Sequence, residues 1–246
     1  MATTALRAED WPQWRGVDRD GNWTDTGIVK SFPDTGLKVT WRVPVGGGFA
    51  GPAVAGGRVF VLDYEETPGS RTMDGTERLL ALDEETGELL WSHEWPAAYR
   101  NISWKFANGP RTPPTVADGL VYVHGAAGML SCLDTETGDV VWQVDTGAEY
   151  GMTVPVYGIS NAPLVEGDLL IAVVGGYPDA KIVAFDKTTG REAWRALEMT
   201  SETGYSSPIV INAGGTRQLI LWHATALTSL NPETGETYWD QALVLD

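Results

Sequence analysis

The chain has 246 residues, a length that one large all-β domain can reach. Its 17 Lys and Arg against 33 Asp and Glu give a formal net charge of −16, and this acidic excess disfavours a nucleic-acid partner, which needs clustered cations. The single cysteine, Cys132, excludes an internal disulfide, and no apolar run approaches the ~18 residues of a transmembrane helix.

Residues 1–31 are predicted to form an N-terminal extension. Their start, MATTALRAEDWPQW, lacks the apolar core of about 7–15 residues that marks a signal peptide, so an intact signal is not expected in this chain. The stretch DRDGN at 18–22 places oxygen-bearing side chains at alternate positions, as a Ca²⁺ loop does. Trp23 stands where such a loop needs Gly, so the stretch is interpreted as a structural turn, with Arg15 pairing with nearby carboxylates.

Four copies of one phrase organise the rest of the chain. They read LLALDEETGELLW, LSCLDTETGDVVW, IVAFDKTTGREAW and LTSLNPETGETYW, at residues 79–91, 130–142, 182–194 and 227–239. The Trp-to-Trp intervals of 51, 52 and 45 residues are typical of a stacked array or a propeller. Residues 34–41 repeat only the Asp, Thr-Gly and Trp of the phrase, and are predicted to be a closing outer strand.

A β-rich element with a Gly or Asp-Gly turn precedes each phrase, so one unit is predicted to be four strands in meander order. In the first unit the strands are expected at about 51–55, 58–63, 78–83 and 88–91. Radially repeated four-stranded antiparallel sheets form a β-propeller. We therefore predict an all-β propeller domain over residues 32–246, with blades at about 51–91, 113–142, 162–194 and 207–239.

Each residue of the phrase has a predicted structural role. The Gly is expected in the left-handed conformation at the end of a turn, and the Asp or Asn is expected to bond to turn backbone groups. The Trp falls on the outermost strand, where it is expected to join neighbouring sheets. The residues assigned these roles are Asp83, Gly87, Trp91, Asp134, Gly138, Trp142, Asp186, Gly190, Trp194, Asn231, Gly235 and Trp239.

Four sheets and one extra strand are fewer than a wide, Trp-joined ring needs. The chain is therefore interpreted as about four blades of a partial ring in a truncated chain, and a dimer that completes the ring is the alternative. An open ring would expose sheet edges, which favours pairing or aggregation.

Two long connections, predicted at 92–114 and 143–163, carry the candidate binding residues, because loops of this length are often functional. Their aromatic and Arg content is typical of recognition sites for proteins or carbohydrates, and the alternative is that these side chains plug the channel mouth. The candidates are Trp95, Arg100, Trp104, Lys105, Asn108, Arg111, Tyr150, Tyr157 and Asn161.

No catalytic or metal-binding motif is found in the sequence. His93, His124 and His223 come from different units, without metal-ligand spacing, and each is expected to be a single polar residue near a strand end. Cys132 occupies an apolar position of the second phrase and is expected to be a small buried core residue.

The repeats resemble the tryptophan-docking repeats of the quinoprotein (PQQ-type) β-propellers, a superfamily that includes PQQ-dependent alcohol and sugar dehydrogenases and the non-enzymatic BamB-type proteins. DWPQWRGVDRDGNW at 10–23 and TWRVPVGGGFAGPAV at 40–54 look like the secreted PQQ-binding-like repeat proteins. The resemblance implies a periplasmic or secreted location. Methanol-dehydrogenase-like members have adjacent cysteines that form a ring disulfide and a Glu, Asn and Asp set on Ca²⁺. Cys132 cannot form that disulfide, and no matching Ca²⁺ motif is found.

The leading hypothesis is a non-catalytic envelope binding or scaffold module that recognises a protein or a carbohydrate through its inter-blade loops, without a cofactor. The alternative is a fragment of a PQQ- and Ca²⁺-dependent alcohol or sugar dehydrogenase. A carbohydrate-binding accessory protein is a third hypothesis, because fold does not fix function.

Overall fold

The structure, a computed structural model, describes residues 8–102, 108–198, 202 and 204–243. These residues form four four-stranded antiparallel sheets, each with its strands in chain order. A single short helix, α1 (Thr146–Tyr150), accompanies the strands in this part of the chain. The predicted all-β architecture of four meander blades is therefore confirmed.

The strands of the four blades have the following bounds. Blade 1 contains β1 (Ala53–Ala55), β2 (Arg58–Glu66), β3 (Asp74–Asp83) and β4 (Leu89–Ala98), and blade 2 contains β5 (Thr115–Ala117), β6 (Leu120–His124), β7 (Met129–Asp134) and β8 (Val140–Asp145). Blade 3 contains β9 (Leu164–Glu166), β10 (Leu169–Val173), β11 (Ile182–Asp186) and β12 (Glu192–Ala196), and blade 4 contains β13 (Ile209–Ala213), β14 (Thr216–Trp222), β15 (Ala226–Leu230) and β16 (Thr237–Ala242).

The predicted start of the first long loop at residue 92 is wrong. Strand β4 continues to Ala98 because it pairs with the early part of β3, where Glu77 lies opposite Trp95 and Gly75 opposite Ala97. Trp95 is only 4% exposed and belongs to the core between blades 1 and 2. The prediction ended the strand at its repeat Trp and missed this extension. The second connection likewise begins with the end of β8 and with α1.

The turn of the repeated phrase is held by the side chain of its Asp and ends at its Gly. The Asp83 Oδ1 accepts hydrogen bonds from the backbone N–H of Glu85 and Thr86 and from the Thr86 hydroxyl. The turn glycines have left-handed φ values of 73°, 74°, 70° and 75° at Gly87, Gly138, Gly190 and Gly235. In that region an L side chain is strained, so glycine is favoured.

The first three repeat Trp residues each join their blade to the turn of the next blade. Trp91 Nε1 donates to the carbonyl oxygen of Thr135 at 3.1 Å, and the same bond recurs from Trp142 to Lys187 at 3.0 Å. Trp194 continues the series to Pro232 at 3.2 Å. The indole rings lie directly on the turn glycines, so that a Cβ at Gly138 would be 2.6 Å from the Trp91 ring.

The Trp residues at the two ends of this series, Trp41 and Trp239, lie in different surroundings from the three between them. Trp41 donates to the carbonyl oxygen of Glu84 at 2.9 Å and covers Gly87, so it docks on blade 1 as a repeat Trp does. Residues 34–41 nevertheless form no ladder in the described structure, and the predicted closing strand is instead a mostly exposed segment that begins with a turn at Gly36. Trp239 is 40% exposed and donates to Gln218 within its own sheet.

The hydrophobic core lies between neighbouring blades. One cluster joins blades 1 and 2 around Phe60 and Val121, another joins blades 2 and 3 around Tyr122 and Phe185, and a third joins blades 3 and 4. The innermost strands of successive blades lie side by side, as the contacts of β1 with β5 and of β5 with β9 show. This order brings the residues that precede each inner strand to one region of the molecule.

Candidate functional site

The segments that lead into the four inner strands surround an open cleft of about 500 Å³. Phe49 precedes β1, Arg111 precedes β5, Ser160 precedes β9, and Tyr205 precedes β13. Every blade therefore contributes to one site, as ligand sites of repeat folds do when they form where repeats converge. The volume lies within the ~300–1,000 Å³ range of small-ligand pockets.

The N-terminal segment, residues 8–25, adds a further wall to the cleft. It crosses the inner strands in turn: Trp11 exchanges backbone hydrogen bonds with Val54 of β1, and the carbonyl oxygen of Pro12 accepts from Val116 of β5. This course places Trp14 at the cleft. The segment predicted as an extension is therefore part of the site.

Arg19 anchors this segment to blade 3. Its guanidinium is buried and donates to the carbonyl oxygens of Pro163 and Ala162 at 2.8 and 3.1 Å. Desolvation by burial lowers the pKa of Arg19 to about 10, so it stays charged at neutral pH. Arg15 and Arg19 both lie over the Trp14 ring, at 5.4 and 5.5 Å from its centroid, which fixes the indole by cation–π contact.

Arg111 is the cation of the cleft. Its guanidinium lies 5.2 Å from the centroid of the Phe49 ring and donates a hydrogen bond of 3.3 Å to the carbonyl oxygen of Gly109. Partial burial lowers the pKa of Arg111, with Tyr99 and Tyr205 nearby. Among the described residues no carboxylate lies within 4.0 Å of it.

Hydroxyl and amide groups hold the blade 3 and blade 4 sides of the cleft together. The Ser207 hydroxyl accepts from the backbone N–H of Ala162 at 2.8 Å, and the Asn161 amide donates to the carbonyl oxygen of Ser206 at 2.8 Å. The Ser160 hydroxyl oxygen is buried and has no partner within the described part of the chain. Buried polar atoms are normally satisfied, so Ser160 is a group with unused hydrogen-bonding capacity.

A buried carboxyl group ties blade 1 to blade 2. Glu77 is fully buried and accepts hydrogen bonds from Trp95 Nε1 at 2.8 Å, from the Tyr99 hydroxyl at 2.5 Å and from the backbone N–H of Ala126 at 2.8 Å. Desolvation raises the pKa of Glu77, and the three donors act in the opposite direction. Gly125 provides the room, since a Cβ there would collide with the carboxyl group.

The predicted binding residues are spread over different environments. Arg111 lines the cleft, and Tyr157 packs edge-on against Tyr205 at its border. Arg100 is exposed, and Asn108 donates to Glu66 at 3.0 Å. Trp104 and Lys105 lie outside the described residues.

Three other candidates are buried rather than exposed for binding. Trp95 bonds to Glu77 as described, Tyr150 packs edge-on against Phe185, and Asn161 bridges blades 3 and 4. The repeat pattern of the sequence could not reveal that these three side chains are buried, because their burial depends on contacts with neighbouring blades.

The sequence reasoning missed Trp14, Phe49, Tyr205 and Glu77. The first three share one signal: each lies in an irregular stretch before or beside the start of an inner strand. Glu77 gave no local signal, since its donors come from three separate segments.

The remaining sequence predictions have clear outcomes. Cys132 is buried, and burial raises the pKa of its thiol to about 12. The 18–22 stretch is a turn in which Asn22 donates to Asp20. Arg15 donates to the backbone carbonyl oxygen of Asp20 rather than to one of the predicted carboxylates.

The three histidines stand in separate environments. His93 lies within β4 rather than near its end, His124 ends β6, and His223 directly follows β14. His124 is buried with both ring nitrogens unpartnered in the described structure, and burial lowers its pKa to about 4.

Neither a cluster of metal ligands nor a membrane-spanning helix is present among the described residues. No group of three or more His, Cys, Asp or Glu is placed to hold a metal ion. No helix within the described ranges is both long enough and apolar enough to cross a membrane.

Curated relatives fall into two groups. BamB of Burkholderia pseudomallei, an outer membrane protein assembly factor, is 26% identical over 239 residues, which cover 91% of this chain and 54% of that protein. The quinoprotein alcohol dehydrogenase PedH of Pseudomonas putida is 28% identical over 141 residues, covering 53% of this chain and 22% of that enzyme. The chain thus matches about half or less of these relatives' length.

Solved structures show the same fold. BamB of Moraxella catarrhalis aligns with a TM-score of 0.54 and 22% identity, covering 82% of this chain and 51% of that one. The quinohemoprotein alcohol dehydrogenase of Comamonas testosteroni aligns with a TM-score of 0.65 and 18% identity, covering 95% and 41%. At these identities the likeness concerns the fold alone.

A family model described as outer membrane protein assembly factor BamB matches residues 26–103 and 75–246. These matches include all four blades and the docking Trp41. The chain belongs to this BamB family of PQQ-like β-propeller repeat proteins.

Proposed function

We propose that the chain is a non-catalytic binding module of the bacterial envelope, which recognises its ligand or partner at the cleft formed by the four blade entries. The observation that carries the proposal is the chemistry of that cleft: an arginine stacked on Phe49, two further aromatic side chains and serine hydroxyls. Aromatic and Arg side chains supply most binding energy at recognition sites.

The blade architecture supports a binding role. The Trp–Gly docking and the Glu77 contact join neighbouring blades, and the walls of the cleft come from these blades. A preorganised site loses less conformational entropy when it binds. The BamB relatives, named as assembly factors, are consistent with recognition of a protein, and the periplasmic location is part of the proposal.

The second candidate is a quinoprotein dehydrogenase fragment, favoured by the similarity to PedH. A PQQ–Ca²⁺ centre would need carboxylate ligands for the cation. The described residues that line the cleft include no Asp or Glu, so they do not fit that requirement. No catalytic step is derived for this chain.

The test combines a cofactor titration with a binding assay. The purified chain is titrated with PQQ and Ca²⁺ and then assayed with a dye acceptor and alcohols or glucose. We expect no turnover, and measurable turnover would overturn the proposal.

For binding, a photo-crosslinking residue is placed at Tyr157 on the cleft border. The control position is Arg217 in β14 of the fourth blade, which does not line the cleft. The same chain is applied to a glycan array. We expect a protein crosslink at position 157 alone or a defined glycan signal. Equal crosslinking at both positions with a blank array would contradict the proposal.

A further inference from the structure

The guanidinium of Arg111 is partly buried but has no anionic partner among the described residues. It is partly desolvated, stacked on Phe49, and bonded at 3.3 Å to a carbonyl oxygen two residues away. A guanidinium has five N–H donors, and desolvating a cation without an anion is costly. The chain has 33 acidic residues, yet none of the described ones lies within 4.0 Å of it.

Two other arginines of the chain have more hydrogen-bond partners than Arg111. Arg78 makes two hydrogen bonds to Asp63, at 2.8 and 2.7 Å, and its pKa is raised by them. Arg19, which has no carboxylate, instead donates to two backbone carbonyl oxygens and to the Gln13 side chain, although its Nε is unpartnered in the described structure. Arg111 has neither arrangement, and its guanidinium borders the open cleft.

A second observation indicates a ligand at the same place. Ser160 lines the cleft, and its hydroxyl oxygen is buried and unpartnered in the described structure. Ser207, beside it, accepts from Ala162 N–H, which leaves its own proton for another acceptor. Hydroxyl donors and a guanidinium fork together are the groups that bind a carboxylate.

The remaining walls are flat and aromatic. Arg15 and Arg19 both lie over the Trp14 ring, and Tyr205 packs edge-on against Tyr157. Aromatic walls of this kind bind the faces of aromatic rings or sugar rings. A cleft of about 500 Å³ has room for one or two rings.

Resting on the binding role proposed above, we infer that the cleft binds a ring-bearing carboxylate, with Arg111 pairing with the carboxylate, Ser160 and Ser207 donating to it, and Trp14 and Tyr205 covering the ring. An aromatic acid and an acidic sugar share this chemistry.

The test compares matched charged and neutral probes on the whole chain. Benzoate is compared with benzamide and glucuronate with glucose, by isothermal titration and by tryptophan fluorescence, with inorganic phosphate as a further probe. We expect at least one carboxylate to bind about tenfold or more tightly than its neutral partner, because charge-assisted hydrogen bonds are the stronger kind. Preference for benzoate would identify an aromatic acid, and preference for glucuronate an acidic sugar.

Three variants assign the preference to Arg111. Arg111→Met keeps the apolar stem and should reduce carboxylate affinity to that of the neutral probe. Arg111→Lys keeps the charge without the fork and should retain part of the preference. Arg217→Met, which removes an exposed ion pair with Glu166, should bind as the unmodified chain does. Thermal unfolding of each variant shows whether it is folded.

Several results would overturn the inference. They are equal binding of charged and neutral probes, tighter binding of phosphate than of either carboxylate, no binding of any probe, or unchanged affinity in folded Arg111→Met. These outcomes leave the binding role standing, whereas turnover with PQQ and Ca²⁺ would overturn the binding role and leave the Arg111 result intact.

Discussion

The indole ring of Trp91 in blade 1 rests on Gly138 in blade 2, and a Cβ at Gly138 would lie 2.6 Å from the ring atom Cδ2. The turn glycine therefore serves two purposes, since it adopts a left-handed φ of 74° and also receives the Trp of the preceding blade. All four turn glycines thus receive a Trp ring from the preceding segment, and the Trp residues of the first three phrases dock on the next blade.

Gly138→Ala is expected to destabilise the chain more than Gly119→Ala. Both positions have left-handed φ, 74° and 78°, but Gly119 has nothing within 4 Å of a built Cβ. The backbone strain is thus shared, and the excess cost at 138, about 1–3 kcal/mol, reports overpacking against Trp91. Chemical denaturation of both variants measures it. Equal midpoints would show that the docking contact adds nothing.

Trp194→Phe should lower the free energy of unfolding more than Trp239→Phe does. Trp194 is 8% exposed and donates to Pro232 of the next blade, whereas Trp239 is 40% exposed and bonds within its own sheet. Loss of the inter-blade hydrogen bond at 194 should cost about 1 kcal/mol more. Thermal unfolding compares the two. A larger effect at 239 would mean that its exposed face is engaged in solution.

Glu77→Gln should change how stability depends on pH. Burial raises the pKa of Glu77 above its ordinary value of 4.5, so the folded state binds the proton more tightly than the unfolded state. That contribution to stability is present below pH ~4.5 and is lost as pH rises through the folded-state pKa.

The comparison is thermal unfolding of the unmodified chain and of Glu77→Gln across pH 4–8. The stability of the unmodified chain relative to the variant should fall as pH rises, because Gln does not titrate. A difference that grows in favour of the unmodified chain with rising pH would show that the donors Trp95, Tyr99 and Ala126 outweigh desolvation.

Arg19→Met should release the N-terminal segment from blade 3. The variant loses both hydrogen bonds to the Ala162 and Pro163 carbonyl oxygens while keeping an apolar stem. Arg15→Met is the control, because Arg15 is exposed and bonds to Asp20 within the segment. Limited proteolysis should cut residues 8–25 faster in Arg19→Met alone. Equal cleavage rates in the two variants would show that Arg19 does not anchor the N-terminal segment.

Local patterns were sufficient for the strands and turns of each blade. Alternating β-rich runs and left-handed glycines encode the hairpins, and the pairing of β1 with β2 follows from the Gly56 turn. Patterns failed where a strand continued because of its neighbours, as in β4 beyond Trp91, and where residues 34–41 had no strand beside them.

The site was less predictable than the fold. Arg111 was identified from its loop composition, but Trp14 and Tyr205 are 191 positions apart along the printed sequence and meet only at the cleft. Loop composition alone also placed Trp95 and Asn161 with the candidates, although both are buried between segments.

The sequence by itself determined the repeat, the four meander blades and the Trp–Gly docking elements, because these depend on short-range turns and on a regular period. Only the tertiary structure decided which residues form the cleft, that Glu77 is buried among three donors, and that Arg111 has no carboxylate beside it in the described chain. The physical reason is that burial and electrostatic partners come from segments far apart in the chain, which no local pattern records.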